Sequence, residues 1–249
     1  TKVKEPMFFN SYKQKDIFFT KGRKIARNKT LEEYKSLFDN VKNEKAIGEA
    51  SPAYIYNKKA TALIKKEIPN VKIIAILRQP TERAYSNFLH ARRAGREPLD
   101  DFEKTFVLED ERINENWSPL YHYKSKGFYF KQLQRYFDVF PKDNIKILLF
   151  EDVIRNPILT TQEIFKFLNV DANFTPETFR KMNVSGTPKG IFGWLIMKLR
   201  FYHLLPNIQL NKYLPDFIIA LLFKSAYSKP KKLNENLKKE LTDKYYKTD

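Results

Sequence analysis

One stretch restricts the fold more than any other: Val71-Lys-Ile-Ile-Ala-Ile-Leu-Arg-Gln-Pro-Thr-Glu-Arg-Ala-Tyr-Ser-Asn-Phe88. The uninterrupted apolar run Ile73–Leu77 reads as a buried strand of a parallel sheet, because only strands covered on both faces dispense with polar alternation. Arg78 follows at the carboxyl end of that strand, where open α/β sheets bind their ligands. Pro80 suits the first turn of a helix, since its fixed φ and missing N–H cost nothing there. Arg83 and Ser86 lie three apart on that helix and share a face. The unit therefore directs guanidinium and hydroxyl groups toward one locus, a combination suited to phosphate. Taken alone, an arginine after a strand and a serine in a helix fit solvated positions equally well.

The rest of the chain alternates strands and helices around this unit. Thr30-Leu-Glu-Glu has the form of a capping box and predicts a helix through Phe38. Ala46-Ile-Gly-Glu-Ala-Ser reads as a short strand ending at Ser51-Pro52. Helical spacing of Ala60, Leu63, Ile64 and Ile68 predicts a helix over 57–68, stopped by Pro69. Asp100-Asp101 precedes Phe102 and Phe106 and reads as a helix N-terminus rather than an acid/base pair. An amphipathic helix is expected over 126–140 and closes at Pro141. A strand follows over 145–150, with Glu151-Asp152 at its end, and another helix over 159–168. Asn183 to Gly190 is rich in breakers and reads as a loop. Beyond it the pattern is helical, with apolar faces at 191–203 and 214–224 and a charged helix from Leu233. Strands alternating with helices specify an α/β fold with a parallel sheet. With 249 residues and no repeat or long linker, the chain is expected to form one domain spanning 1–249.

Lys plus Arg number 46 against 29 Asp plus Glu, a net charge of +17. Part of that excess belongs to a chain rich in Lys, Asn, Ile, Phe and Tyr generally. The remainder predicts an anionic partner: a phosphorylated nucleotide, an acidic glycan, a nucleic acid or a membrane surface. The chain has no cysteine, which excludes a disulfide framework, a thiolate nucleophile and a Cys-based zinc site. No metal-binding motif is present, and His90, His122 and His203 are scattered. The apolar stretches near 191–199 and 217–223 are too short to span a bilayer, and no signal peptide opens the chain. A cytoplasmic location is expected if the source is bacterial.

The ordered motifs resemble the sulfotransferases that use 3′-phosphoadenosine-5′-phosphosulfate (PAPS), and among them the bacterial members allied to heparan-sulfate sulfotransferases. The residues that carry the resemblance are Lys4-Glu-Pro-Met-Phe-Phe9, Gly48-Glu-Ala-Ser-Pro-Ala-Tyr54 and Leu77-Arg-Gln-Pro-Thr-Glu-Arg-Ala-Tyr-Ser86. They continue with Tyr123-Lys-Ser-Lys-Gly-Phe-Tyr129, Phe140-Pro141, the strand up to Phe150-Glu-Asp-Val153, Asn183-Val-Ser185 and Lys229-Pro-Lys-Lys-Leu233. Their order along nearly the whole chain is specific, whereas any one piece is weak. The resemblance implies a P-loop-like parallel sheet flanked by helices, with a helical C-terminal region. It also implies that Arg78 and Ser86 grip the 3′-phosphate of PAPS and that Glu5 is the catalytic base. Lys189 falls where relatives place a basic residue near the nucleotide. PAPS would be the co-substrate, no metal would be needed, and the acceptor would be a glycan or a small molecule.

Two departures stand out. Heparan-type relatives carry a lysine where this chain has Ala50, which argues against a heparan-like acceptor. In the family, a first strand and a 5′-phosphosulfate loop precede the Lys-Glu-Pro motif, and here the sequence starts at Thr1. The chain is therefore expected to be truncated at both ends and to have little activity alone. Basic Lys13, Lys15, Arg92, Arg93 and Arg96 are candidates for a groove, and Tyr54, Tyr56, Tyr85 and Tyr129 for stacking on adenine or sugar, although solvated or core positions suit most of them. Three rival readings remain at this stage. One is a relative that binds the spent nucleotide without transferring sulfate. The others are a basic nucleic-acid-binding protein and a P-loop nucleotide kinase.

Overall fold

The run Ile73–Leu77 forms strand β1, with the expected bounds, and pairs in parallel with β2 (Ile145–Leu149) in continuous register from Ile73 opposite Ile145 to Leu77 opposite Leu149. The computed structural model describes residues 5–11, 30–176, 187–201 and 227–249. They fall into two compact units. The first comprises the described residues of Thr1–Arg78 and Phe128–Arg180 with Asp249, and the second those of Gln79–Gly127 and Lys181–Thr248.

In the first unit, α1 (Phe8–Ser11), α2 (Leu31–Lys35), α3 (Ala60–Glu67) and α7 (Tyr129–Phe137) surround an aromatic core. Phe8, Phe9, Tyr34, Ile64, Tyr136 and Phe140 are buried there, with Ile73 and Ile145 of the sheet packed against them. Phe8 stacks on Tyr34 at 4.4 Å, and Phe9 meets Tyr34 and Tyr54 edge-on at 5.4 and 5.5 Å. Such aromatic pairs each contribute about 0.5–1.5 kcal/mol beyond the area they bury. The capping box of α2 is present in both directions, Glu33 N to Thr30 Oγ1 and Thr30 N to Glu33 Oε2, and a 3-10 turn over Ser36–Phe38 completes the expected helix. Helix α3 begins at Ala60, later than expected, because Asn57 Oδ1 accepts from Lys59 N at 2.9 Å and turns the chain first. Two short helices, α8 (Phe150–Arg155) and α9 (Pro157–Leu168), follow β2, and Asn169 ends α9 in the left-handed conformation (φ 59°).

Three expectations need correction in this unit. Ala46–Ala50 forms no strand: Ile47 is exposed, and Glu49 is engaged with hydroxyl groups described below. Helix α7 starts three residues after Lys126 because Ser125–Gly127 turns as a 3-10 helix. The sheet is not buried on both faces: Ile76 and Leu149 are 50% and 53% exposed. Among the described residues each strand has only the other as a neighbour.

The second unit is built on α4 (Pro80–Arg93), which starts with proline at its first turn and is capped by the Gln79 side chain accepting from Glu82 N at 2.7 Å. Its partner is α11 (Glu235–Tyr245). Gln79 Nε2 donates to Thr242 Oγ1 at 2.8 Å, and Lys238 Nζ reaches Glu82 at 2.6 Å. Asp101 caps α5 (Phe102–Val107) through a 3.0 Å bond from Lys104 N, so the paired carboxylates do mark a helix start. Between α4 and α6 (Glu109–Asn114) lies the fully buried Glu97, held bidentately by Arg112 at 2.7 and 2.9 Å and by the Tyr123 hydroxyl at 2.9 Å. Arg112 in turn faces the rings of Trp117 and Tyr121 at 4.8 and 5.3 Å. Within the loop expected over 183–190, Thr187–Pro188 forms β3, which pairs antiparallel with the distant β4 (Tyr227–Ser228), before α10 (Gly190–Phe201). Gly190 starts α10 at φ +62°, a conformation that a side chain would strain. The helix expected at 214–224 lies outside the described residues. No helix among the described residues is long and apolar enough to cross a membrane.

Candidate active site

Arg78 ends β1 with its backbone and side chain both engaged in the first unit. Its carbonyl accepts a 2.8 Å hydrogen bond from the Tyr129 hydroxyl on α7. Its guanidinium carbon lies 5.0 Å from the centroid of the Phe150 ring. Phe150 is the residue that follows β2, so the carboxyl ends of the two parallel strands present an arginine and the aromatic face it stacks on. Stacking orients the planar fork without neutralising it. The guanidinium is thus held at the place where α/β sheets bind anions.

Glu5 lies in the same unit, in a distinctive backbone. It has φ 58° and Met7 has φ 51°, on either side of the buried Pro6. Non-glycine residues held in the left-handed region each cost about 1–3 kcal/mol and persist only where the surroundings fix them. Here the surroundings are Ser51 and Tyr54. Met7 N donates to Ser51 Oγ at 2.9 Å, and Phe9 N donates to the Tyr54 hydroxyl at 3.4 Å. Those hydroxyls themselves donate to Glu49, Ser51 to Oε2 and Tyr54 to Oε1, both at 2.7 Å, and Tyr34 adds a longer contact to Oε1 at 3.4 Å. Burial and the Glu49 carboxylate raise the hydroxyl pKa values of Tyr34 and Tyr54 well above the phenol range, so both remain donors. In the sequence, Gly48-Glu-Ala-Ser-Pro carries only a family resemblance and assigns Glu49 no task. The i, i+2 spacing of Glu49 and Ser51 was the available signal.

Ser86 and Lys189 belong to the second unit. Ser86 is partly buried near the middle of α4. Lys189 is exposed between β3, which packs against α4, and α10. The fold therefore brings the segments that carry Ser86 and Lys189 together, while Glu5 and Arg78 are held in the first unit. Arg83, expected to act beside Ser86, donates through Nη2 to the Tyr123 carbonyl and so braces the adjoining chain. Burial and the neighbouring Arg83 cation lower the Lys126 pKa to about 7. Burial, with Lys126 next in importance, lowers His122 to about 4. Glu109 is fully buried and accepts from Lys124 N, Ser125 N and Ser125 Oγ.

Among the residues considered for a basic groove or for stacking, several have structural tasks. Arg92 Nη1 contacts the Glu97 and Pro98 carbonyls at 3.3 and 3.4 Å. The Tyr85 hydroxyl donates to the Lys231 carbonyl at 2.9 Å, and Tyr54 and Tyr129 are engaged as described above. Lys13, Lys15 and His203 lie outside the described residues. No group of three or more His, Asp or Glu among the described residues is placed to hold a metal ion.

Residues 6–185 match the family described as Sulfotransferase domain. The chain belongs to that family. The match contains Arg78 and Ser86, starts one residue after Glu5 and ends before Lys189. Similarity to solved structures agrees: a sulfotransferase from Alicyclobacillus acidocaldarius superposes with a TM-score of 0.65 at 33% identity, covering 73% of this chain and 74% of that one. Among curated proteins, membrane-associated sulfotransferase kil1 of Dictyostelium discoideum is 23% identical over 68% of the chain and 50% of its own length. Heparan sulfate glucosamine 3-O-sulfotransferase 5 of Mus musculus is 27% identical over 49% of the chain and 35% of its length. Carbohydrate sulfotransferase 15 of Homo sapiens is 30% identical over 41% of the chain and 21% of its length. The chain thus spans half or less of the length of these curated relatives. The sulfotransferase family accounts for the α/β fold and implies a sulfate donor.

Proposed function

We propose that the protein transfers a sulfuryl group from PAPS to a hydroxyl or amine of a carbohydrate. The observation that carries this reading is Arg78, charged and stacked at the carboxyl end of β1, within the stretch that matches the sulfotransferase family. Two of the relatives carry a carbohydrate acceptor in their names, which supports the acceptor class. In this reading Arg78 supplies a bidentate contact to the 3′-phosphate and Ser86 a further hydroxyl donor. Lys189 adds a nearby positive charge, and Glu5 takes the acceptor proton.

The reaction is an in-line displacement. The acceptor oxygen or nitrogen forms a bond to sulfur while the bond from sulfur to the bridging oxygen of the 5′-phosphate breaks. Adenosine 3′,5′-bisphosphate leaves with that electron pair, and the acceptor proton passes to Glu5. As in phosphoryl transfer, positioning and charge stabilisation carry most of the catalysis. A base beside the acceptor adds roughly 10²–10⁴-fold. The net charge of +17 favours encounter with so anionic a donor.

The test is transfer of radiolabelled sulfate from PAPS to a carbohydrate panel by the intact protein. Glu5→Gln is expected to lower turnover by about 10²-fold or more, with donor binding retained. Arg78→Ala is expected to weaken the donor complex. Undiminished transfer by Glu5→Gln removes the base assignment, and no transfer to any acceptor removes the activity.

A further inference from the structure

We propose that Glu49 is a positioning residue for Glu5, acting through Ser51 and Tyr54 on the backbone that presents the base. The inference rests on the reading of Glu5 given above. Its ground is the chain of contacts from one carboxylate to the Glu5-Pro6-Met7 segment. Glu49 accepts from the Ser51 and Tyr54 hydroxyls at 2.7 Å each. Each hydroxyl then accepts a main-chain N–H from the segment that follows Glu5: Met7 N to Ser51 Oγ at 2.9 Å and Phe9 N to the Tyr54 hydroxyl at 3.4 Å. A hydroxyl that donates to an anion becomes a better acceptor, so the charge of Glu49 strengthens both outer bonds.

The backbone being held explains the need for such a brace. Glu5 and Met7 both occupy the left-handed region, at φ 58° and 51°, and an unbraced chain would relax to the extended or right-handed region. Relaxation at Met7 would swing the preceding residues and carry the Glu5 carboxylate away from the acceptor. The anchor is firm: Ser51 is buried, and Tyr54 packs edge-on against Phe9 at 5.5 Å. A second tie, Asn57 Nδ2 to the Asn10 carbonyl at 3.3 Å, holds the end of α1 independently of Glu49. Loss of Glu49 should therefore loosen the start of this segment while α1 stays docked. Glu49 itself takes no proton from the acceptor in this scheme.

The experiment is a double-mutant cycle on kcat in the intact protein, using Glu49→Gln and Glu5→Gln singly and together. Glu49→Gln removes the charge and reverses one of the hydroxyl contacts at constant volume. The expected result is a kcat lower by roughly 10–100-fold, the scale of a misplaced catalytic group. Calorimetric affinity for adenosine 3′,5′-bisphosphate should stay within about twofold of the unaltered protein, as the fold check. In the Glu5→Gln background the same change should cost almost nothing, because there is no base left to misplace. Ser51→Ala, which removes the link between Glu49 and Met7 N while leaving the Glu49 carboxylate in place, is the second variant and should reproduce the kcat loss and the non-additivity. Equal loss in both backgrounds, or an unchanged kcat in Glu49→Gln and Ser51→Ala, overturns the positioning role and leaves Glu5 as base. Full activity of Glu5→Gln alone overturns the base reading and the positioning role with it.

Discussion

The chemistry assigned to Arg78 depends on the shape of its side chain as much as on its charge. The guanidinium is oriented by the Phe150 ring at 5.0 Å, and a lysine in its place would keep the charge but lose the fork and most of the stacking. Arg78→Lys is therefore expected to bind adenosine 3′,5′-bisphosphate about tenfold more weakly, from loss of roughly one charge-assisted hydrogen bond, as read by calorimetry. His122 gives a separate prediction. Its folded pKa is about 4, depressed by burial first and by Lys126 second, against an unfolded value of about 6.5. The fold favours the neutral ring, so its contribution is complete above pH 6.5 and is lost as the pH falls toward 4, with no further loss below. Over that window the expected decline is of the order of 3 kcal/mol. Urea unfolding midpoints of His122→Gln should fall less steeply between pH 6.5 and 4 than those of the unaltered protein. Parallel slopes would show that His122 is not the group titrating.

Local sequence rules located β1, the proline start of α4, the capping box of α2 and the aspartate cap of α5, because each depends on residues a few positions apart. They failed where a distant partner decides. The packing of the Ser125–Gly127 turn involves the distant Tyr246: a Cβ on Gly127 would sit 2.6 Å from that ring, whose hydroxyl donates to the Lys124 carbonyl at 2.8 Å. Gly127→Ala is accordingly expected to destabilise the protein by about 1–3 kcal/mol through overpacking, measured as a lower urea midpoint. Ala46–Ala50 forms no strand, and the failure there has a related reason: a short segment does not reveal whether a neighbouring strand exists. The ion pair of Glu97 and Arg112, 15 residues apart in sequence, was invisible as well. With Glu97 fully buried, Arg112→Met should cost about 3–5 kcal/mol, because it strands a buried carboxylate. Adding Glu97→Leu to that variant should recover much of the loss. Denaturant unfolding of the single and double variants decides between these outcomes.

For the molecule as a whole, the family was legible from the order of short motifs, and the match over 6–185 and the Alicyclobacillus acidocaldarius structure agree with it. The candidate site was legible unevenly. Arg78 announced itself at the end of an apolar strand. The brace beneath Glu5 did not, because Glu49, Ser51 and Tyr54 reach a segment more than 40 residues away in sequence. The charge excess was plain from composition, and its expected consequence is kinetic. Association with the nucleotide should slow as salt rises, since a net +17 steers an anion only within the screening length, about 8 Å at physiological ionic strength. Stopped-flow binding at several salt concentrations reads this directly, and a rate independent of salt would remove the steering role. The most direct test of the central claim compares adenosine 3′,5′-bisphosphate with adenosine 5′-monophosphate by calorimetry on the intact protein and on Arg78→Ala. The account predicts that the unaltered protein prefers the bisphosphate by at least about tenfold, the scale of one charge-assisted contact, and that Arg78→Ala abolishes the preference. No binding of the bisphosphate, or an equal preference in Arg78→Ala, would contradict it.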